Sequence, residues 1–235
     1  MIPIKTESTW KGACNCRACG IRSELCLFAH LTEEDFQTIN VPVDDLQIGA
    51  GAFLFGEGDA ALGIFTLRKG MLKLVRSSAD GRQRIVRVLR PGDVAGLSAL
   101  AIARYDCDAV ALTDAAVCRV PLAVIHSLQT QSPRLHQKLM EKWSGALKGA
   151  DDWLVDINFG TARARVSNFV LKMRGDADAN TVTLFAREDM GAMMDLKMET
   201  VSREISALVR DGTLEPLDKQ GRSYRILKLD QLQPA

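Results

Sequence analysis

The sequence predicts an α+β fold in which a strand-rich N-terminal half precedes a long helix and a helical C-terminal region. Short apolar runs recur between about residues 40 and 125, and glycine-containing turns separate them. After Ser132-Pro133 the apolar residues take helical spacing, and the chain ends with two short helical patterns and a hairpin pattern. These observations divide the 235 residues into regions of different architecture.

The composition excludes several classes of protein. Hydrophobic residues make up 47% of the chain and the formal net charge is +1, which is ordinary for globular domains and gives no strong overall field. No apolar run is long enough for a membrane span, and the N-terminal stretch lacks the apolar core of a signal peptide. No catalytic triad, phosphate-binding loop or paired carboxylates are evident. We expect a cytoplasmic protein that is not an enzyme and has no membrane partner.

Residues 31–130 are predicted to form an antiparallel β-barrel or sandwich. Turn sequences such as Asp80-Gly81 and Pro91-Gly92-Asp93 fall between the apolar runs. Regularly spaced short strands with such turns are typical of these folds, and Asp-Gly favours a tight hairpin.

Residues 131–158 are predicted to form one long helix. Serine before proline is typical of a helix start, because the hydroxyl caps the helix and proline has the required φ. The apolar residues that follow alternate steps of three and four, which is the a/d seam of a coiled coil. A helix packed on the barrel gives the same spacing, and that alternative stays open. The predicted homodimer seam comprises Met140, Trp143, Leu147, Ala150, Leu154 and Ile157.

Residues 159–235 predict a winged helix-turn-helix. A helical pattern from Arg163 to Met173 is followed by two more that are separated at Asp195-Leu196, and the chain then shows a hairpin pattern turning at Gln220-Gly221. Helix, short turn, helix and hairpin in this order define the motif.

The second helix of this motif has a polar face suited to reading DNA. Glu199, Ser202 and Arg203 are spaced i, i+3 and i+4. A carboxylate can accept a hydrogen bond from cytosine, and an arginine can donate two to guanine. A surface ion pair between Glu199 and Arg203 is the simpler alternative. The opposite face is apolar and comprises Val201, Ile205 and Leu208.

Phosphate contacts must come from a local face of this region. Residues 159–235 carry twelve Lys and Arg against eleven Asp and Glu, so the region is not basic overall. The candidate phosphate contacts are Arg187, Lys197, Arg210 and Arg222.

The order of parts resembles the Crp–Fnr family of bacterial transcription regulators. Its most specific piece is METVSREISALVRDG, Met198 to Gly212, which is similar to the family's recognition helix. The resemblance implies a cyclic-nucleotide-binding-like jelly-roll barrel, a dimerisation helix and a DNA-binding domain. It also implies a homodimer that binds palindromic double-stranded DNA with TTGAT-like half-sites and works with RNA polymerase. Asp195 stands where such motifs often have glycine.

Residues 1–30 form a cysteine-rich segment that contains Cys14, Cys16, Cys19 and Cys26. Clustered thiols in a reducing compartment favour a metal site or a redox sensor. Thiolates bind zinc and iron–sulfur clusters alike, so ligand chemistry alone leaves both open.

The cysteines resemble those of the Fnr branch, which holds an oxygen-labile four-iron four-sulfur cluster. The resemblance implies ligands at Cys16, Cys19, Cys26 and Cys118, with Cys14 as the substitute for Cys16. The second gap has six residues here, whereas the branch pattern most like this one has five. Zinc, a metal-free thiol switch and a non-regulatory iron–sulfur or zinc redox protein stay as alternatives.

The barrel lacks the residues that a cyclic nucleotide would need in this family. Leu97 stands at the position of the ribose-binding glutamate. Cys107 and Asp108 stand where arginine and serine would bind the phosphate, and an aspartate there would repel it. We therefore expect no cyclic nucleotide as a cofactor.

Overall fold

The computed structural model describes residues 9–13, 44–81, 83–131, 133–174 and 178–232. The chain divides into two units, Met1–Leu147 and Lys148–Ala235. Across the described ranges, no helix combines the length and the apolar character needed to cross a membrane.

The described part of the N-terminal unit contains two antiparallel sheets. Its strands are β1 (Thr9–Ala13), β2 (Asp44–Ile48), β3 (Phe53–Phe55), β4 (Gly63–Lys69), β5 (Leu72–Ser77), β6 (Gln83–Leu89), β7 (Val94–Ala95), β8 (Asp108–Ala111) and β9 (Ala115–Pro121). One sheet has the order β1-β2-β9-β4-β7 and the other β3-β8-β5-β6. This architecture confirms the predicted barrel in the form of a sandwich.

The turns between these strands follow their glycines. Gly81 has φ +81° in the turn that joins β5 to β6, as the Asp-Gly pair predicts. Gly70, between β4 and β5, has φ +83°, and a Cβ atom there would lie 2.3 Å from the Asp114 carbonyl oxygen. Only glycine fits that position.

The N-terminal unit has two apolar clusters on opposite faces of the five-stranded sheet. Phe65, Leu67 and Val117 face the second sheet and pack with Leu72 in the inner cluster. Each such buried side chain contributes about 1.5–3 kcal/mol. Side chains alternate along β9, so Cys118 lies in the outer cluster. That cluster joins the sheet to two helices, α1 (Leu122–Gln131) and α2 (Pro133–Asn158).

One face of α2 is attached to the barrel. Leu139 is buried in the outer cluster, and Ala146 packs against it. The Lys142 ammonium donates a hydrogen bond to the Gly92 carbonyl oxygen at 2.6 Å. The face of α2 that contains Leu139 and Ala146 therefore packs on the barrel, which was the alternative to a coiled-coil seam. The predicted a/d residues lie on a different face of the helix.

The C-terminal unit contains the predicted helix-turn-helix and hairpin. Its elements are α3 (Ala162–Lys172), β10 (Thr181–Thr183), α4 (Arg187–Met194), α5 (Met198–Arg210), β11 (Leu214–Pro216) and β12 (Ser223–Ile226). The hairpin β11–β12 is the wing. The order β10-β12-β11 shows that β10 adds a strand to it, which the sequence pattern did not predict.

The last turns of α2 are bonded to α3 within this unit. Arg165 Nη2 donates to the Asn158 carbonyl oxygen at 2.9 Å, and Asn168 Nδ2 donates to that of Asp156 at 2.7 Å. These bonds satisfy carbonyls that a helix C-terminus leaves without a partner. The ring of Trp153 packs on that of Phe169, with their centres 6.0 Å apart.

Candidate functional site

A tight turn sets the position of α5 relative to α4. Asp195 ends α4 with φ +54°, and the Leu196 N–H donates to the Gly191 carbonyl oxygen at 3.1 Å. Aspartate accepts this left-handed conformation better than most residues, as the sequence predicts. A Cβ atom at Gly191 would lie 2.5 Å from the Leu196 carbonyl oxygen, so the turn also requires glycine there.

Helix α5 has one buried apolar face and one exposed polar face. Glu199 and Arg203 are exposed and Ser202 is half-buried. The face that packs on the unit is fully buried and comprises Val201, Ile205 and Leu208. The predicted base-reading residues thus share the outward face of a well-anchored helix.

The simpler alternative for Glu199 and Arg203 was an ion pair with each other. Both residues are described, and no such pair is present between them. Arg203 Nε lies 3.6 Å from the carboxylate of its neighbour Glu204, and 70% of the Arg203 side chain is exposed. A contact this loose at the surface contributes little, and it leaves the guanidinium accessible to a partner.

Three of the predicted phosphate contacts are exposed around α5 and the wing. Lys197 directly precedes α5, Arg210 is its last residue, and Arg222 lies in the wing. Lys219, also exposed in the wing, was not selected from the sequence. Its position next to the predicted hairpin turn at Gln220-Gly221 is the sequence feature that indicates a phosphate contact.

Arg187 is placed differently from the other three. It is half-buried, and its guanidinium donates to the Gly221 carbonyl oxygen and to the Tyr224 hydroxyl. The structure therefore uses this side chain to join α4 to the wing, whereas the sequence reasoning assigned it to phosphate.

The polar groups of the segment between Gly96 and Asp108 bond to the chain itself. Leu97 is buried, and Ser98 Oγ donates to the Asp106 carboxylate at 2.6 Å. The Asp108 carboxylate accepts from the Glu57 N–H at 2.7 Å. Burial, with the nearby charge of Asp106, raises the pKa of the Cys107 thiol to about 12. Cys107 and Asp108 offer a cyclic phosphate no positive charge at the two positions where the family pattern has arginine and serine. Arg104, the exposed arginine of this segment, donates instead to the Gly58 carbonyl oxygen at 2.6 Å.

Of the predicted metal ligands, Cys118 alone lies among the described residues. It is buried on β9 and pairs across the sheet with Asp45 on β2 and with Thr66 on β4. Cys14, Cys16, Cys19 and Cys26 lie outside the described residues. Elsewhere in the described ranges, no three His, Cys, Asp or Glu side chains form a metal-binding group.

The predicted seam of α2 is exposed over most of its length in the single chain. Leu147 is 62% and Leu154 59% exposed, and Ala150 between them is half-buried. Met140 and Trp143 are exposed as well. Ile157 departs from this pattern, because only 3% of it is accessible. The exposed stripe therefore runs from Met140 to Leu154.

Two regions of the chain match known protein families. Residues 46–132 match the cyclic nucleotide-binding domain, and residues 164–235 match the Crp-like helix-turn-helix domain. Together these matches span more than half of the chain. They correspond to the sandwich and to the C-terminal helices with their wing.

Relatives match across both regions. The chain is 27% identical over 225 residues to the fumarate and nitrate reduction regulatory protein of Salmonella typhi, covering 91% of this chain and 90% of the relative. It is 27% identical over 220 residues to the transcriptional activator protein anr of Pseudomonas aeruginosa, covering 91% and 88%.

Solved structures show the same arrangement of elements. FixK2 from Bradyrhizobium japonicum has a TM-score of 0.73 at 25% identity over 82% of this chain and 96% of that one. A Crp-family transcriptional regulator of Thermus thermophilus has a TM-score of 0.66 at 21% identity, over 79% and 93%, which supports the fold alone.

Proposed function

Because the chain belongs to the Crp–Fnr family of DNA-binding transcription regulators, we propose that it senses oxygen or redox state through a cysteine-ligated iron–sulfur cluster. We further propose that it binds TTGAT-like palindromic sites as a homodimer. Members of this family regulate transcription and are not enzymes. The observation that carries the proposal is the outward face of α5, where Glu199, Ser202 and Arg203 are accessible together.

Each of the three side chains has a role that its chemistry supports. The Arg203 guanidinium can donate two hydrogen bonds to one guanine, and the Glu199 carboxylate can accept one from cytosine. Ser202, one turn after Glu199, is small enough to let the helix approach the bases. Lys197 and Arg210, at the two ends of α5, would bind phosphates and set the register of the helix.

The strand register supports Cys118 as a partner for the N-terminal cysteines. Ala13 on β1 pairs with Asp44 on β2, and Asp44 pairs with Arg119 on β9, next to Cys118. Two strand spacings amount to roughly 10 Å. Cys16 follows Ala13 by three residues, which can span up to about 10 Å, so the chain length lets Cys16 approach Cys118.

The chemistry of Cys118 also fits a metal–thiolate bond. The thiol lies among apolar side chains of the outer cluster, including Val94 and Val124. A free thiolate is unfavourable in such surroundings, and coordination to iron would neutralise its charge. A bound cluster held by Cys16, Cys19, Cys26 and Cys118 would supply the group that reacts with oxygen. Cys14 would substitute for Cys16.

The exposed stripe of α2 supports the homodimer. Large apolar side chains such as Leu147 and Leu154 are costly to leave in water, and a second copy of the helix would cover them. We propose RNA polymerase as the further partner and the cytoplasm as the location on the family resemblance alone. We propose no cyclic nucleotide, because Leu97, Cys107 and Asp108 stand where the family pattern has the glutamate, arginine and serine that bind one.

Metal analysis of anaerobically purified protein tests the sensor. We expect about four iron atoms per chain and a broad visible absorption band that air bleaches in the wild type. Cys19→Ser and Cys118→Ser should lose the iron and the band, because each removes one thiolate ligand. Cys107→Ser is the matched control, since its thiol is buried in the other cluster, and it should keep both.

The same samples separate the alternatives. Stoichiometric zinc without iron would replace the cluster with a zinc site, and a metal-free protein that forms a disulfide in air would indicate a thiol switch. Full iron in Cys118→Ser would move the site to Cys14, Cys16, Cys19 and Cys26. A gel shift on a TTGAT palindrome, compared with a scrambled duplex, tests regulation. Equal binding to both duplexes would contradict it.

A further inference from the structure

The wing turn, residues 217–222 between β11 and β12, is tied to the first residue of α4. Arg187 Nη2 donates hydrogen bonds to the Gly221 carbonyl oxygen at 2.9 Å and to the Tyr224 hydroxyl at 2.7 Å. Its guanidinium carbon also lies 5.8 Å from the centre of the Tyr224 ring. Arg187 thus binds the turn through two hydrogen bonds and through a contact with the ring.

Hydrogen bonds within the wing turn hold it in one shape. The Asp218 carboxylate accepts from the N–H groups of Arg222 at 3.0 Å and Ser223 at 2.7 Å, and the Leu217 N–H donates to the Ser223 carbonyl oxygen at 2.8 Å. Gly221 has φ +65° and fits closely against the Tyr224 hydroxyl. Arg187 fixes this preformed turn relative to α4.

The exposed basic side chains beside the start of α4 belong to the wing turn. Lys219 and Arg222 are both exposed, whereas Arg187 is half-buried. Phosphate contacts come from accessible basic side chains of this kind. Arg187 therefore contacts the turn that carries these two cations, and its Nη2 group donates within the protein.

Helix-turn-helix geometry places this edge beside the DNA backbone. The first helix of the motif crosses the backbone while the second enters the major groove, and helix N-termini attract phosphate. Here the first helix is α4 and Arg187 is its first residue. We propose that Arg187 is a positioning residue that holds the wing turn so that Lys219 and Arg222 bind DNA phosphates beside the half-site. This proposal rests on the proposed DNA-binding function.

A double-mutant cycle tests the proposal through the salt dependence of DNA affinity. Fluorescence anisotropy would give Kd at several salt concentrations, on the TTGAT palindrome and on a scrambled duplex of equal length. Each lost phosphate contact lowers the slope of log affinity against log salt by about 0.9. The Lys219→Ala/Arg222→Ala double variant should therefore lower the slope by about twice that amount per subunit. Arg187→Ala should lower it similarly, although Arg187 binds no phosphate.

The triple variant and a conservative change distinguish positioning from direct contact. Arg187→Ala added to the Lys219→Ala/Arg222→Ala background should change the slope no further. Arg187→Gln removes the charge but keeps an NH2 donor for the Gly221 carbonyl oxygen, so it should retain more of the slope than Arg187→Ala. An additive loss in the triple variant would show direct phosphate binding by Arg187 and overturn the proposal.

Two control variants separate the contacts of Arg187 from those of its neighbours. Tyr224→Phe removes the hydroxyl that accepts from Arg187 and donates to the Gly221 carbonyl oxygen at 3.0 Å. It keeps the bond between Arg187 and Gly221, so it should lower the slope less than Arg187→Ala. Arg225→Ala removes a wing arginine that pairs with Glu215 at 3.1 Å, and it should leave the slope unchanged. An unchanged slope in the Lys219→Ala/Arg222→Ala variant would also overturn the proposal.

The scrambled duplex separates this proposal from the function on which it rests. Phosphate contacts carry no sequence information, so wing variants should weaken both duplexes together and preserve their ratio. A wild-type protein that does not distinguish the duplexes would contradict the proposed regulator. The slopes on the scrambled duplex would still report on the wing turn.

Discussion

The outward face of α5 and the Gly96–Asp108 segment of the barrel use their polar side chains in opposite ways. On α5, the Arg203 guanidinium is mostly exposed, and its carboxylate contact is a loose one with the adjacent residue. In the barrel, Ser98 is bonded to Asp106 and Cys107 stays a neutral thiol. The barrel segment lies in the region that matches the cyclic nucleotide-binding domain, and α5 lies in the region that matches the Crp-like helix-turn-helix domain.

The difference shows where recognition can take place in this chain. On α5 a buried apolar face anchors the helix, so its polar groups can be left for a partner. In the Gly96–Asp108 segment, Ser98, Arg104 and Asp108 already hydrogen-bond within the chain, and a ligand that used them would first have to break those bonds. We therefore expect an effector to act through residues outside this segment.

The exposed stripe on α2, from Met140 to Leu154, is the apolar counterpart of the exposed polar face of α5. A substitution in this stripe has the largest effect that we expect. Ala150→Asp would bring two carboxylates together across the two-fold axis, which costs several kcal/mol. We expect metal-free wild-type protein to be a dimer at micromolar concentration and Ala150→Asp to be a monomer, as measured by light scattering.

A control variant locates the effect on the stripe. Ser144→Asp adds the same charge seven residues before Asp151, at a heptad position where the chain already has an acid. It should remain dimeric. A monomeric mass for the wild type would refute a dimer that forms without its cluster.

Arg203→Ala removes the exposed group on which the comparison depends. Discrimination between the TTGAT palindrome and a scrambled duplex should fall by about 1–3 kcal/mol. The free energy of unfolding should change by less than about 0.5 kcal/mol, because the side chain is mostly exposed. Binding competition and chemical denaturation would measure the two quantities. Undiminished discrimination would show that α5 does not read the bases.

The smallest effect that we expect is that of cyclic AMP on thermal stability, where we expect no change. Millimolar cyclic AMP should leave the thermal midpoint unchanged, because Cys107 and Asp108 offer its phosphate no positive charge where the family pattern has arginine and serine. A ligand at a hundred times its Kd would stabilise the folded state by about 2.7 kcal/mol, which is easily detected. The palindromic duplex serves as the positive control and should raise the midpoint. A rise with cyclic AMP would refute the contrast between the two segments.

Local patterns predicted the order of elements and much of the candidate interface. The period of α5 separates Arg203 from Val201, and the Asp195 turn follows from the tolerance of aspartate for positive φ. The sequence did not reveal contacts between distant residues. The pairing of Val182 with Tyr224 and the bonds of Arg187 to the wing depend on how separate elements meet. Heptad spacing likewise could not show that Ile157 is covered within its own chain.

The hydrogen bonds between α3 and the end of α2 fix the orientation of one helix relative to the other. Arg165 and Asn168 lie one turn apart on α3, and both bond to carbonyl oxygens in the last turn of α2. Two helices that are bonded at two separate points resist twisting relative to each other as well as separation. A rotation of the final turns of α2 about their axis would have to break these bonds or move α3 with them, and α3 packs against α5, which carries Arg203.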